Sequence, residues 1–545
     1  MLSHTAQLAH RVWSYVDRVG SFFSVISPVS VALFASVVIV AWFVSSSTWQ
    51  YYRLRHFDGP LLAKISNLWL FRSVDSGRSY LDFWEVTQKY GTIARVGLND
   101  LVTDDPVFVK HMCNVKTEYR RSSWYDGMRF NPTSNNCLST RDEAAHSALR
   151  SKMAAGYAGR DVDNIESKMD NNVRAFMGLL GRYADKKAPV DLGRKVQYFT
   201  LDCISDIAYG APFGFVETDT DVYEYIETTE KNLPMVMVVT VFPWLLRLLN
   251  SPILKGLLPS AKDKLAFGRI MSIARDVAAE RFKPDVKAER DMLGSFIRHG
   301  LTQTESESEI LLQIAAGSDT TASAIRSTML ELCANPEILR KLRQEIASAN
   351  IAGDVITDSE AKVLPYLQAV IKEGFRIFPP IAGLMSKEVP PQGDTWNGVF
   401  IPGGTRVGYS IWAITRRQDV WGEDALKFRP ERWLNISSDK LKEMESTLDL
   451  IFSYGRWLCL GKSIALIELN KVFVEVRFRV ALRKLTANCV FVSHSSSGDS
   501  TLRCAIRISL TRYSTTASLP NHKSGWMSQE QKRRNEDMFI VGMME

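Results

Sequence analysis

The sharpest chemical signal in the chain is the run Phe452-Ser453-Tyr454-Gly455-Arg456-Trp457-Leu458-Cys459-Leu460-Gly461-Lys462. One cysteine follows a glycine-bearing loop there and precedes an apolar helical stretch, Ile464–Phe473. Sulfur at a helix N-terminus feels the positive end of the dipole, which favours the thiolate, the form that ligates metal. Bound to iron, such a thiolate pushes electron density onto the metal and favours O–O cleavage. Gly455 suits a close approach of backbone to a flat cofactor, and Gly461 relieves the turn beyond the sulfur. Two other readings fit part of the same run. Gly455…Gly461-Lys462-Ser463 looks like a phosphate loop, but five residues separate its glycines where that motif has four. A lone cysteine is also commonly a buried structural residue.

Four further segments carry chemistry-bearing residues. Ala316-Gly317-Ser318-Asp319-Thr320-Thr321 lies in a helical stretch expected to begin near Glu307. Glycine and consecutive threonines weaken a helix, and a threonine hydroxyl can take an i−4 carbonyl and open the ladder. Glu373-Gly374-Phe375-Arg376 sets opposite charges at i,i+3 on one helix face, which Pro379-Pro380 ends. Alone, such a pair is usually a solvated surface pair of little worth. Phe428-Arg429-Pro430-Glu431-Arg432 follows, and His146-Ser147-Ala148-Leu149-Arg150 places His146 and Arg150 on one helical face.

In this order and spacing the segments resemble the cytochrome P-450 family of haem-thiolate monooxygenases, over about residues 60 to 475. The family loop reads F-x-x-G-x-R-x-C-x-G. Phe452, Gly455, Cys459 and Gly461 match it, whereas Trp457 stands at the arginine position and Arg456 lies one residue earlier. The resemblance implies a mainly α fold with small β-sheets and haem b held by Cys459 as axial thiolate. It implies Asp319 and Thr320 as suppliers of protons during oxygen activation. His146 and Arg150 would reach the haem propionates, with Arg456 substituting for the displaced arginine. Glu373, Arg376 and Arg432 would form a buried structural triad bracing the cysteine loop. Ile381–Leu384 would be an apolar pocket-lining strand, which suits a lipophilic substrate. The texture is closest to fungal microsomal members of secondary metabolism.

These residues need a large helical scaffold, and the chain supplies one. It has 545 residues, 46% hydrophobic and 23% charged, an ordinary globular composition that excludes a disordered or polytopic membrane protein. A net charge of +7 over that length implies no nucleic-acid partner. The seven cysteines, Cys113, Cys137, Cys203, Cys333, Cys459, Cys489 and Cys504, contain no C-x-x-C pair, which argues against a disulfide framework and a cysteine-rich zinc site. The eight histidines offer no H-E-x-x-H.

No charged residue lies between Arg18 and Arg53, and about 20 apolar residues suffice to cross a bilayer. The expected organisation is a lead over 1–24, a transmembrane anchor over 25–45, a hinge over 46–60 and a haem-thiolate domain over 61–510. A polar tail over 511–545 would be a disordered extension or a gene-model artefact, since the likeness fades from Val476. A second apolar run, Leu233–Leu246, carries Pro234 and Pro243 and is too short to span. It reads as a buried core helix or as a surface segment dipping into the anchor's bilayer. With no G-x-G-x-x-G, electrons would come from a separate NADPH-dependent flavoprotein reductase, with cytochrome b5 as a further donor. The implied setting is the endoplasmic reticulum membrane, single-pass, with the domain in the cytosol. A haem-thiolate isomerase or dehydratase, and a non-catalytic haem-binding membrane protein, are the competing readings.

Overall fold

The structure, a computed structural model, describes residues 28–186, 188–254, 256, 258, 266–284, 289–476, 488–494 and 503–509. Helix Pro28–Arg53 holds a 22-residue stretch, Ala32–Arg53, apolar and long enough to cross a membrane, with none of its most apolar window buried. The expected span ended at residue 45 and handed over to a hinge from 46. The helix instead continues to Arg53, because Ser45–Thr48 carry no helix breaker and the first one lies at Gly59-Pro60. Its C-terminal end is docked on the domain: Arg53 donates to Gly403 O at 2.6 Å and to Thr405 Oγ1 at 2.9 Å.

Strands β1 (Ile93–Arg95), β2 (Asp100–Thr103), β3 (Arg120–Arg121), β4 (Lys387–Glu388) and β7 (Arg406–Tyr409) form one sheet in the order β1-β2-β7-β4-β3. Only the β2–β7 pair is parallel. A hairpin of β5 (Asp394–Trp396) and β6 (Val399–Ile401) stands beside it. Apart from the loop that carries Cys459, the rest of the candidate site's surroundings is mainly helical, on a hydrophobic core that runs from Leu54 to Val476. Ile381–Leu384, expected as a strand, forms no strand; pairing begins at Lys387.

The longest helix, Gln303–Ala334, starts four residues before the expected Glu307. Its beginning is set by a capping box in which Thr302 and Glu305 satisfy each other's backbone donors. Beside it packs helix Leu192–Tyr209, almost wholly buried. Leu233–Leu246 falls on two helices, Tyr225–Val241 and Trp244–Leu249, with Val239 and Val241 buried but Met235 and Trp244 exposed at 66% and 57%. The run is thus neither a core helix nor a wholly exposed one.

The helix after the cysteine runs over Lys462–Glu475. Beyond it, β8 (Asn488–His494) and β9 (Arg503–Ser509) pair as an antiparallel hairpin, so part of the segment where the likeness was expected to fade forms a regular hairpin. The expected lead over 1–24 and the tail over 511–545 lie outside the described residues.

Candidate active site

Cys459 sits one turn ahead of its helix. Its backbone N–H donates to Phe452 O at 2.8 Å, closing the loop. The N–H groups of Gly461 and Lys462 point at the sulfur and lower its pKa, as does the Arg150 charge, yet desolvation is the larger influence and leaves the thiol above its ordinary value. The helix-start argument is therefore correct in sign and outweighed by desolvation from the surrounding protein, although Cys459 itself is exposed.

The two glycines of the loop sit in different backbone environments. Gly455 has φ +60°, and a β-carbon there would stand 2.1 Å from Cys113 O. It permits a close approach of the cysteine loop to the backbone at Cys113. Gly461 has φ −81°, and a β-carbon would lie 3.9 Å from Cys459 Sγ, an ordinary contact, so it relieves no strained turn. Phe452 packs edge-on against Phe375 at 5.5 Å between centroids, joining the loop to helix Pro365–Ile377.

That helix carries the brace. Arg376 donates to both Glu373 oxygens at 2.9 and 2.7 Å, and Arg432 Nε reaches Glu373 Oε1 at 2.9 Å. The side chains of Glu373 and Arg376 are fully buried and that of Arg432 nearly so, which excludes a solvated surface pair. Trp433 Nε1 and the Arg429 N–H complete the acceptor set of Glu373 at 2.9 and 2.8 Å. Burial alone would raise this carboxyl, but Arg376, then Arg432, outweigh it and hold it below its usual value.

On helix Glu143–Tyr157, His146 is completely buried and neither ring nitrogen has a hydrogen-bond partner. Desolvation, followed by the charges of Arg121, Arg150, Arg456 and Lys387, pushes its pKa down to about 3. Arg150 is half-buried and makes no hydrogen bond or ion pair among the described residues. Arg121 is 5% exposed and donates only to carbonyls, Cys137 O at 2.7 Å and Thr140 O at 3.0 Å, while its Nε stays unpartnered. Lys387 is wholly buried, its ammonium bonded to Tyr125 Oη and Met385 O and lying 4.6 Å from the Trp457 ring centroid. Arg456 is held by Val115 O and Thr117 O, with Glu143 at 3.6 Å. Four cations thus converge on one neutral imidazole. Of the two nearby carboxyls, Glu143 lies beside Arg456, and Glu309, which accepts from the Cys137 N–H, has its pKa pushed by burial up to about 8 and so carries little charge near neutral pH. Buried charge this one-sided calls for an anionic partner. Arg121 and Lys387 escape a reading of the sequence, since β3 and β4 each have only two residues and no spacing marks them.

On the long helix, Thr320 Oγ1 donates to Ala316 O at 2.7 Å, the i−4 bond expected at the Gly317 turn. Asp319 Oδ1 accepts from Gln197 Nε2 at 2.8 Å, and Ser318 Oγ lies 3.3 Å from it.

A helical scaffold that combines a cysteine at a helix start, an acid–alcohol pair on an unbroken helix and a cation cluster short of anions is that of an oxygen-activating oxidoreductase. The chain belongs to the cytochrome P450 family, whose model matches residues 59–492. It is 45% identical over 455 residues to the cytochrome P450 monooxygenase ABA1 of Pyricularia oryzae, covering 81% of this chain and 89% of that one. It is 38% identical over 434 residues to the monooxygenase aba1 of Botryotinia fuckeliana, 78% and 85% covered. To the pisatin demethylase of Fusarium vanettenii it is 30% identical over 449 residues, 80% and 86% covered. The protein is a monooxygenase of this family, and membership implies a haem-thiolate cofactor, dioxygen and a redox partner.

Proposed function

We propose a membrane-anchored monooxygenase that inserts one oxygen atom into a lipophilic small molecule of secondary metabolism, a terpenoid, polyketide or alkaloid. Its cofactor is haem b, and its electrons come from an NADPH-dependent flavoprotein reductase, with cytochrome b5 as a second donor. The observation that carries this reading is the pairing of Cys459 with a cation cluster short of anions. Haem has the complementary features, an iron for the sulfur and two carboxylates for the cations, so the residues present fit the group.

Cys459 would ligate the iron. The metal's charge would favour the thiolate that desolvation otherwise opposes. Arg150, Arg121 and Lys387 would share the two carboxylates, with His146 donating from the ring nitrogen that carries its proton. Arg456, already engaged by two carbonyls, would contribute its field and hold the loop against Cys113 and Val115. The bound haem supplies oxygen activation and atom insertion. Asp319 would bring protons in from the side of helix Leu192–Tyr209, and the Thr320 hydroxyl would position the water that carries them. Glu373, Arg376 and Arg432 would act only by holding the Cys459 loop. Ala382 and Leu384, buried and apolar, offer no charged group for a polar substrate. Helix Pro28–Arg53 would anchor the protein in the endoplasmic reticulum, single-pass, with its domain in the cytosol.

The experiment is co-expression with a reductase and with neighbouring biosynthetic genes, followed by product analysis. Isotopic oxygen from O2 in one new product supports the reading. A product formed without O2 or reductase would instead indicate isomerase or dehydratase chemistry.

A further inference from the structure

Helix Leu192–Tyr209 touches the Gly317 turn of the long helix at two positions seven residues apart, and so on one face. Ile204 covers the turn itself: a β-carbon on Gly317 would stand 3.0 Å from Ile204 Cγ1, tighter than most real contacts. Gln197 holds the residue two places on, its Nε2 donating to Asp319 Oδ1 at 2.8 Å. Only the amide end of a carboxamide can face a carboxylate, so the orientation of Gln197 follows from the chemistry.

This arrangement has a cost. Gln197 is 1% exposed, and its Oε1 is buried without a hydrogen-bond partner. A leucine or methionine would fill the same volume without stranding an acceptor. What the amide supplies in return is a directed, uncharged donor on Asp319. A lysine or arginine there would favour the ionised carboxylate strongly and oppose its taking a proton. A neutral amide fixes the direction of the side chain while leaving both protonation states accessible. Ser318 Oγ lies 3.3 Å from the same oxygen, but its single hydroxyl proton is engaged by Ile314 O at 2.6 Å, so the amide of Gln197 is the stronger donor to Oδ1.

We propose that Gln197 is a positioning residue: it sets the direction of the Asp319 carboxyl and thereby the rate at which Asp319 passes protons to the Thr320 turn. The proposal rests on the reading of Asp319 as a proton carrier. Gln197 touches no reacting atom and acts through Asp319 alone.

The test uses the full-length, haem-loaded protein with its reductase, NADPH and O2. Gln197→Leu, Asp319→Asn and the double variant are compared, with Gln197→Met as the second variant should leucine yield no folded protein. The first readout needs no turnover: the Asp319 carboxyl band in isotope-edited infrared spectra, identified by its loss in Asp319→Asn. Gln197→Leu should shift that band while haem content stays at the wild-type level. The second readout is the ratio of hydrogen peroxide released to water formed per NADPH, with its solvent deuterium isotope effect. In Gln197→Leu that ratio should rise about ten- to a hundred-fold, the scale of a misplaced reacting group, and the double variant should be no worse than Asp319→Asn. An unmoved band and ratio in Gln197→Leu, with Asp319→Asn still releasing peroxide, overturn the proposal and leave Asp319 its role. An unchanged ratio in Asp319→Asn removes the role of Asp319 and the proposal with it.

Discussion

Lys387 Nζ lies 4.6 Å from the centroid of the Trp457 ring, in contact with the residue that stands where the family loop carries an arginine. The cation missing from the cysteine loop thus reaches the same place from β4, 70 positions earlier in the chain. The indole face attracts the ammonium, an interaction strengthened by complete burial. Lys387→Met should weaken haem retention by about ten- to a hundred-fold, since a charged hydrogen bond is worth about 1.5–3 kcal/mol. Transfer of haem to a scavenging apoprotein measures it. Trp457→Arg added to Lys387→Met should recover most of the loss, whereas Trp457→Arg alone crowds two cations and should not tighten binding.

Glu373→Gln leaves Arg376 and Arg432 buried without their carboxylate. Breaking one partner of a buried ion pair costs about 3–5 kcal/mol. The urea midpoint should fall accordingly, and through Phe375 and Phe452 the disturbance should reach the cysteine loop. A variant that loses haem while its other helices stay folded, by circular dichroism, is the expected outcome.

The haem-free protein should lose stability on acidification through His146. Its folded pKa of about 3 lies below the ordinary 6.5, so the unfolded chain binds the proton first as pH falls. Stability is intact above about 6.5 and declines from there towards pH 3, by on the order of 1 kcal/mol per pH unit over this window. His146→Phe should flatten that part of the profile in urea titrations at pH 7, 6 and 5. A slope identical to wild type would show that other groups dominate.

Thr320→Ala removes a small hydroxyl and leaves Cys459 untouched, so haem binding should survive. Loss of a positioned proton donor removes roughly 10²–10⁴-fold of the step it serves. NADPH should still be consumed, with peroxide released in place of oxygenated product. Product yield per NADPH equal to wild type would exclude the role, and loss of haem would make the turn structural.

The Cys459 loop and the Glu373–Arg376–Arg432 brace are legible in the sequence because each sits in a short ordered run with its partners at fixed spacing. The sequence places the start of the long helix near Glu307, four residues late, although its Thr302–Glu305 capping box is local. The polar Gln303–Glu309 run carries no apolar period and looks like a loop until the cap is recognised. The sequence suggests that Gly461 relieves the turn beyond the sulfur, whereas its backbone angles are those a residue of any type adopts. Lys387 and Gln197 were not legible. Their partners, Trp457 and Asp319, lie 70 and 122 positions away in sequence, and a lysine in a two-residue strand or a glutamine in a buried helix carries no local sign of it.

The most direct measurement is the absorption spectrum of the reduced, carbon-monoxide-bound protein, wild type beside Cys459→Ala. The wild-type Soret band should be red-shifted as a thiolate ligand dictates, and Cys459→Ala should lose that band. A histidine-like Soret band from well-folded, haem-replete wild-type protein would contradict the assignment of Cys459.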